Sequence, residues 1–105
     1  MVIVETSIFT KKIQTLLDNE DYRELQIALV NRPSAGVVIR GSGGLRKVRW
    51  ARPGSGKRGG VRVIYYWAVE ENQLLMLFVF AKNEQDDLTP DQLRILRKLI
   101  EDEYP

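Results

Sequence analysis

The sequence predicts an α+β fold: a mainly antiparallel sheet of four or five strands, with two helices before it and one after. Three observations carry this. Segments rich in Val, Ile, Tyr and Trp, bounded by Gly, Pro or Asn, fill the middle of the chain. Helically spaced apolar residues flank them on both sides. With 105 residues, 44% of them apolar, the chain is long enough for one modest core, so a single domain spanning residues 1–105 is expected.

The elements follow in order. Val2–Glu5 reads as a short first strand, and Thr6 or Ser7 caps a helix carrying Ile8, Phe9, Ile13, Leu16 and Leu17 on its apolar side. Asp18 to Glu20 closes it. A second helix starts near Asp21 and spaces Tyr22, Leu25, Ala28 and Leu29 helically until Pro33 forbids continuation. Strands are then expected at Val37–Arg40, Leu45–Ala51, Val61–Val69 and Leu74–Lys82, with adjacent strands forming an antiparallel meander. The run Leu74 to Ala81 does not alternate, which predicts a central strand covered on both faces. Thr89, Pro90 and Gln92 supply an N-cap, a proline at the first helical position and the third-position partner of a capping box, and the last helix runs through Leu93, Leu96 and Ile100. Internal repeats, low-complexity tracts and interdomain linkers are absent.

Composition narrows the chemistry. Without Cys or His there are no disulfides, thiol nucleophiles, zinc sites of the usual ligands or imidazole acid–base groups. The longest apolar run is far too short to span a membrane, and Glu5 interrupts any signal-peptide core, so a cytoplasmic protein with no membrane partner is expected.

The net charge is only +2, from 16 basic and 14 acidic residues, but its distribution is lopsided. No acid occurs between Leu25 and Val69, while that stretch holds nine bases: Arg32, Arg40, Arg46, Lys47, Arg49, Arg52, Lys57, Arg58 and Arg62. All eight glycines lie there too. A solvated surface normally intersperses both signs, so an acid-free basic region rich in exposed backbone points to a dense anion such as a phosphate chain. Strand alternation puts Lys47 and Arg49 on one face, and Arg46, Val48 and Trp50 on the other. Arg62 shares a face with Ile64 and Tyr66, and Lys82 ends the apolar strand. A basic floor results if the strand register brings these together. Trp50, Tyr66 and Trp67 read as core packing before they read as base-stacking platforms.

Other motifs are weaker. Gly54, Gly56 and Gly59 spell GxGxxG, but Pro53 precedes them and a strand follows, which excludes a dinucleotide site and leaves a loop, Arg52 to Gly60, carrying Lys57 and Arg58 on glycine hinges. A phosphate-binding P-loop also fails, because Ala51 and Arg58 replace its first glycine and its magnesium-binding hydroxyl. Glu84, Asp86, Asp87 and Asp91 lie at a helix start, where carboxylates favour the helix dipole over a bound cation. The chemistry left to such a chain is RNA cleavage in which the substrate's own 2′-hydroxyl is the nucleophile. Arginines would clamp the phosphorane, and lysines would move protons or shield the leaving 5′ oxygen.

Gly43-Gly44-Leu45-Arg46-Lys47-Val48-Arg49, Gly56-Lys57-Arg58-Gly59-Gly60-Val61-Arg62-Val63-Ile64-Tyr65-Tyr66 and Lys82-Asn83-Glu84 together resemble the RelE/HigB family of type II toxins, over nearly the whole chain. The resemblance implies a microbial-ribonuclease-like, RelE-like fold and an endoribonuclease that cuts mRNA in the A site of the 70S ribosome, leaving a 2′,3′-cyclic phosphate and a 5′-hydroxyl. It implies a cognate antitoxin that also binds DNA, and neither metal nor small-molecule cofactor. Arg62 matches the family's phosphate-stabilising arginine, Lys47 and Arg49 match basic residues of the preceding strand, and Lys82 matches the base closing the last strand. Lys57 is the leading candidate for a general base or a ribosome contact, with Arg46, Arg52 and Arg58 as further RNA or ribosome contacts. One feature departs from the family: a tyrosine is expected shortly after the last strand, where Asn83 to Asp87 offers only amides and carboxylates, leaving Tyr65, Tyr66 or Tyr104 as substitutes. The alternative readings are a non-catalytic RNA- or ribosome-binding module that blocks translation by occupancy, and a domain whose basic face receives an acidic protein segment.

Overall fold

In the computed structural model, which describes residues 1–51 and 60–105, a strand β1 (Val2–Glu5) leads into helices α1 (Ser7–Leu16) and α2 (Asn19–Asn31). A 3-10 turn at Pro33–Ala35 follows, then strands β2 (Val37–Val38), β3 (Arg46–Trp50), β4 (Val61–Ala68) and β5 (Gln73–Ala81), and finally helix α3 (Pro90–Glu103). The five strands form one sheet in the order β1-β5-β4-β3-β2. β2 to β5 pair antiparallel, as the meander predicted, while β1 joins the free side of β5 in parallel.

Side-chain caps set the helix starts. The Thr6 hydroxyl accepts from Phe9 N at 3.1 Å and donates to the Leu77 carbonyl at 2.9 Å, so the cap of α1 also fastens that helix to β5. Asp18 was expected to close the first helix; instead its carboxylate accepts from Asp21 N at 2.8 Å and opens the second, which therefore starts at Asn19. For α3 the capping box forms as expected, with Thr89 and Gln92 bonding reciprocally.

The sheet is covered on both faces. Val61, Val63, Tyr65, Leu74, Met76, Val79 and Ala81 pack against Phe9, Ile13, Leu25 and Leu29 of α1 and α2. Ile64, Leu75, Leu77 and Phe80 pack on the other face against Leu96 and Ile100 of α3. This double burial is why the β5 run does not alternate. β5 also carries an irregularity, since Ile64 pairs with Phe78 and Tyr65 with Met76; Leu77 is extra, and Leu77 and Phe78 both turn toward α3.

Two expectations are corrected. Ile8 is 59% exposed, so α1 buries Phe9, Ile13 and Leu16 without it. β2 stops at Val38 because the chain turns about the buried Ser42, whose hydroxyl donates to the Ile39 carbonyl and accepts from Leu45 N at 3.0 Å.

Candidate nucleic-acid interface

Register decides which cations meet. Lys47 of β3 pairs with Ile64 of β4, which pairs with Phe78 of β5; the next row is Arg49, Arg62 and Phe80. Lys82 follows two residues beyond Phe80 on the α3 side of the sheet. Strands lie ~4.8 Å apart, so Lys47, Arg49, Arg62 and Lys82 form one basic floor on the α3-bearing face, at the end of the sheet where β4 starts and β5 finishes. Their convergence follows from the pairing. Arg49 and Arg62 stand directly opposite each other, where like charges oppose pairing. The Arg62 side chain is half-buried, and its Nη1 is buried with no hydrogen-bond partner among the described residues. A guanidinium N–H shut from water and left unsatisfied costs free energy.

The end of the floor rests on a glycine. Gly60 has φ +102°, and a Cβ there would sit 2.7 Å from the Trp50 carbonyl oxygen, so only glycine lets β4 start this close to the end of β3. The Gly60 carbonyl accepts from Lys82 N at 3.3 Å, tying the last base of the floor to the same edge. Arg52, Lys57 and Arg58, and the glycine loop that carries them, lie outside the described residues.

Arg46 is not brought to the floor. It pairs with Tyr65 on the opposite face, where its Nη1 donates to the carbonyls of Gly36 at 2.8 Å and Ser34 at 3.3 Å. The tyrosines stand elsewhere as well. The Tyr65 hydroxyl donates to the Pro33 carbonyl at 2.7 Å and accepts from Gly36 N at 2.8 Å, and burial pushes its phenol up, so it is a buried tie and a poor proton acceptor near neutrality. Tyr66 packs on Tyr104 with ring centroids 5.4 Å apart at the far end of β4, and the Tyr104 hydroxyl donates to Gln73. Burial, with Glu103 and Glu71 nearby, also raises Tyr104. Trp50 and Trp67 pack against the core shared with α1 and α2, in line with their reading as packing residues.

The turn after β5 holds what the local sequence did not disclose. Asp91 behaves as a first-turn carboxylate of α3 and pairs with Arg94, but the other three acids do not cap the helix. Lys12 Nζ pairs with Glu84 at 2.8 Å, Lys47 Nζ with Asp87 at 3.0 Å, and Lys82 Nζ with Asp86 at 3.3 Å. The Lys47 ammonium, chiefly, holds the Asp87 carboxyl below its ordinary range, helped by the Leu88 N–H and by Lys82.

The comparisons with known proteins agree with this architecture. The family described as "RelE toxin of RelE / RelB toxin-antitoxin system" matches residues 27–103, which is most of the chain and includes every residue of the floor. The chain belongs to the RelE toxin family. Among solved structures, toxin from the intact E. coli RelBE toxin–antitoxin complex superposes with a TM-score of 0.56 at 17% identity, covering 74% of this chain and 92% of that one. A doubly substituted E. coli RelE in the free state gives 0.58 at 17% identity, covering 81% and 86%. Together they establish the RelE fold expected from the resemblance.

Proposed function

We infer that this RelE-family chain is an endoribonuclease that cuts mRNA in the ribosomal A site, and that it is neutralised by a cognate antitoxin. The observation that carries the reading is the opposed pair Arg49 and Arg62, on the sheet face that also carries Lys47, with the Arg62 Nη1 buried and without a hydrogen-bond partner among the described residues. In this reading the RNA 2′-hydroxyl attacks the adjacent phosphorus, and the 5′ oxygen leaves. Arg62 bonds a non-bridging oxygen and stabilises the charge that grows on it in the phosphorane. Lys82 faces the leaving oxygen, and Lys47 and Arg49 hold the flanking phosphates. Lys57 is the proposed base or ribosome contact. The ribosome supplies the in-line alignment that a basic floor alone does not, and such positioning lowers a barrier by as much as ~7 to 11 kcal/mol.

Ribosomes programmed with a defined mRNA, beside the same mRNA without ribosomes, test this by primer extension. The expected result is new 5′ ends at A-site codons only when ribosomes are present, and their loss in Arg62→Ala with ribosome binding retained. Cutting of free RNA would remove the ribosome from the mechanism. Ribosome binding without any cutting would replace cleavage by occupancy.

A further inference from the structure

Three lysines from separate parts of the chain meet the turn after β5: Lys12 from α1, Lys47 from β3 and Lys82 just past the end of β5. Their partners come from one turn, Glu84, Asp86 and Asp87, so four consecutive residues supply a carboxylate to each of three lysines. The turn is fixed at both ends. The Ala81 carbonyl accepts from Glu84 N at 3.0 Å, while Gln85 Nε2 donates to the Asp87 carbonyl at 2.8 Å and to Gln92 of the α3 capping box at 2.9 Å. Its carboxylates are nonetheless wet: the Asp87 side chain is 60% exposed and that of Asp86 92%. Exposed pairs of this kind contribute about 0–1 kcal/mol, so they hold the lysines without committing them. Arg62 Nη1, on the same face, is buried without a hydrogen-bond partner among the described residues.

We propose that the Glu84–Asp87 turn is a specificity element of the floor, its Asp87 carboxylate standing in for a flanking phosphate of an RNA strand at Lys47 and its Asp86 carboxylate for the scissile phosphate at Lys82. The proposal rests on the reading of the floor as an RNA site. A lone phosphate that reaches Lys47 or Lys82 has to compete with a carboxylate already there. A strand presenting several phosphates displaces Asp86 and Asp87 together and gains contacts on both sides. Each displacement exchanges one anion for another at a lysine, and the freed carboxylate takes up a cation from solution. Net counterion release at those two lysines is therefore nearly nil, and RNA binding is less salt-sensitive than the number of bases suggests.

The test uses the full chain and a short single-stranded RNA, titrated across a range of NaCl, for the wild type, for Asp86→Asn with Asp87→Asn, and for Arg62→Ala. Asparagine at 87 keeps an oxygen acceptor for the Leu88 N–H, which the wild-type carboxylate binds at 2.8 Å, so the turn is retained; circular dichroism melting checks this. The doubly substituted chain is expected to bind RNA at least several-fold more tightly, with a log–log salt slope steeper by about 1.4, two lysines at roughly 0.7 each. Unchanged affinity and slope in a folded Asp86→Asn, Asp87→Asn chain would overturn the turn's role while leaving the floor intact. RNA affinity indifferent to Arg62→Ala would overturn the floor reading and the proposal with it.

Discussion

The two faces of the sheet treat their polar groups in opposite ways. On the face covered by α1 and α2, Glu5 accepts from both Tyr22 and Thr10, Tyr65 is bonded as donor and acceptor, and Arg46 donates to two backbone carbonyls. On the α3 face, among the described residues, Arg62 keeps a buried nitrogen without a hydrogen-bond partner, and Lys47 and Lys82 are met by exposed carboxylates of a turn. The named polar groups of the first face have fixed partners, whereas a buried bond left unmade costs about 1–3 kcal/mol, a cost that Arg62 Nη1 carries on the second. Arg46 and Arg62 show the contrast within one residue type: they lie on adjacent strands of the same basic segment, one bound to backbone, the other with a buried nitrogen that has no hydrogen-bond partner among the described residues.

Substitutions sharpen this contrast. The largest effect is expected for Arg62→Ala, a loss of roughly 10²–10³ in A-site cleavage measured on programmed ribosomes, comparable to removing one preorganised donor from an oxyanion site. The melting temperature of that variant should stay level or rise, since a buried unsatisfied group disappears. Tyr65→Phe should do the reverse. By stranding the Gly36 N–H and the Pro33 carbonyl it should cost about 1–3 kcal/mol in urea unfolding, with the cleavage pattern unchanged while the chain is folded.

Arg46→Ala should cost about 1 kcal/mol of stability through its lost bonds to Ser34 and Gly36, with little change in RNA affinity. The smallest effect belongs to Asp87→Asn, no more than about 1 kcal/mol at neutral pH because the pair is exposed. Its sign with pH is fixed: the folded carboxyl lies below its ordinary 3.8, so its contribution is complete above that value and lost as pH falls through the folded pKa. Urea midpoints of variant and wild type should therefore converge below pH 3.8.

Local signals carried much of this in the sequence. Thr89-Pro90-Asp91-Gln92 specifies the start of α3 without reference to anything distant, and strand alternation already separated Arg46 from Lys47 and Arg49. Features that depend on remote partners were hidden. Nothing near Val2–Glu5 announces a parallel pairing with residues 73–76, and nothing near Asp87 announces a lysine 40 positions earlier, so the acidic turn read as helix-dipole stabilisation. Asp18 misled for a different reason, because one aspartate between two helices suits the end of the first as well as the start of the second until its hydrogen bond is seen.

The claim that one arginine of this segment acts on RNA while its neighbour holds the scaffold is tested most directly by 5′-end mapping on programmed ribosomes with Arg62→Ala and Arg46→Ala side by side. The account predicts that Arg46→Ala cuts at the wild-type codons and that Arg62→Ala, folded and ribosome-bound, does not. Full cleavage by Arg62→Ala, or its loss in a folded Arg46→Ala, would contradict it.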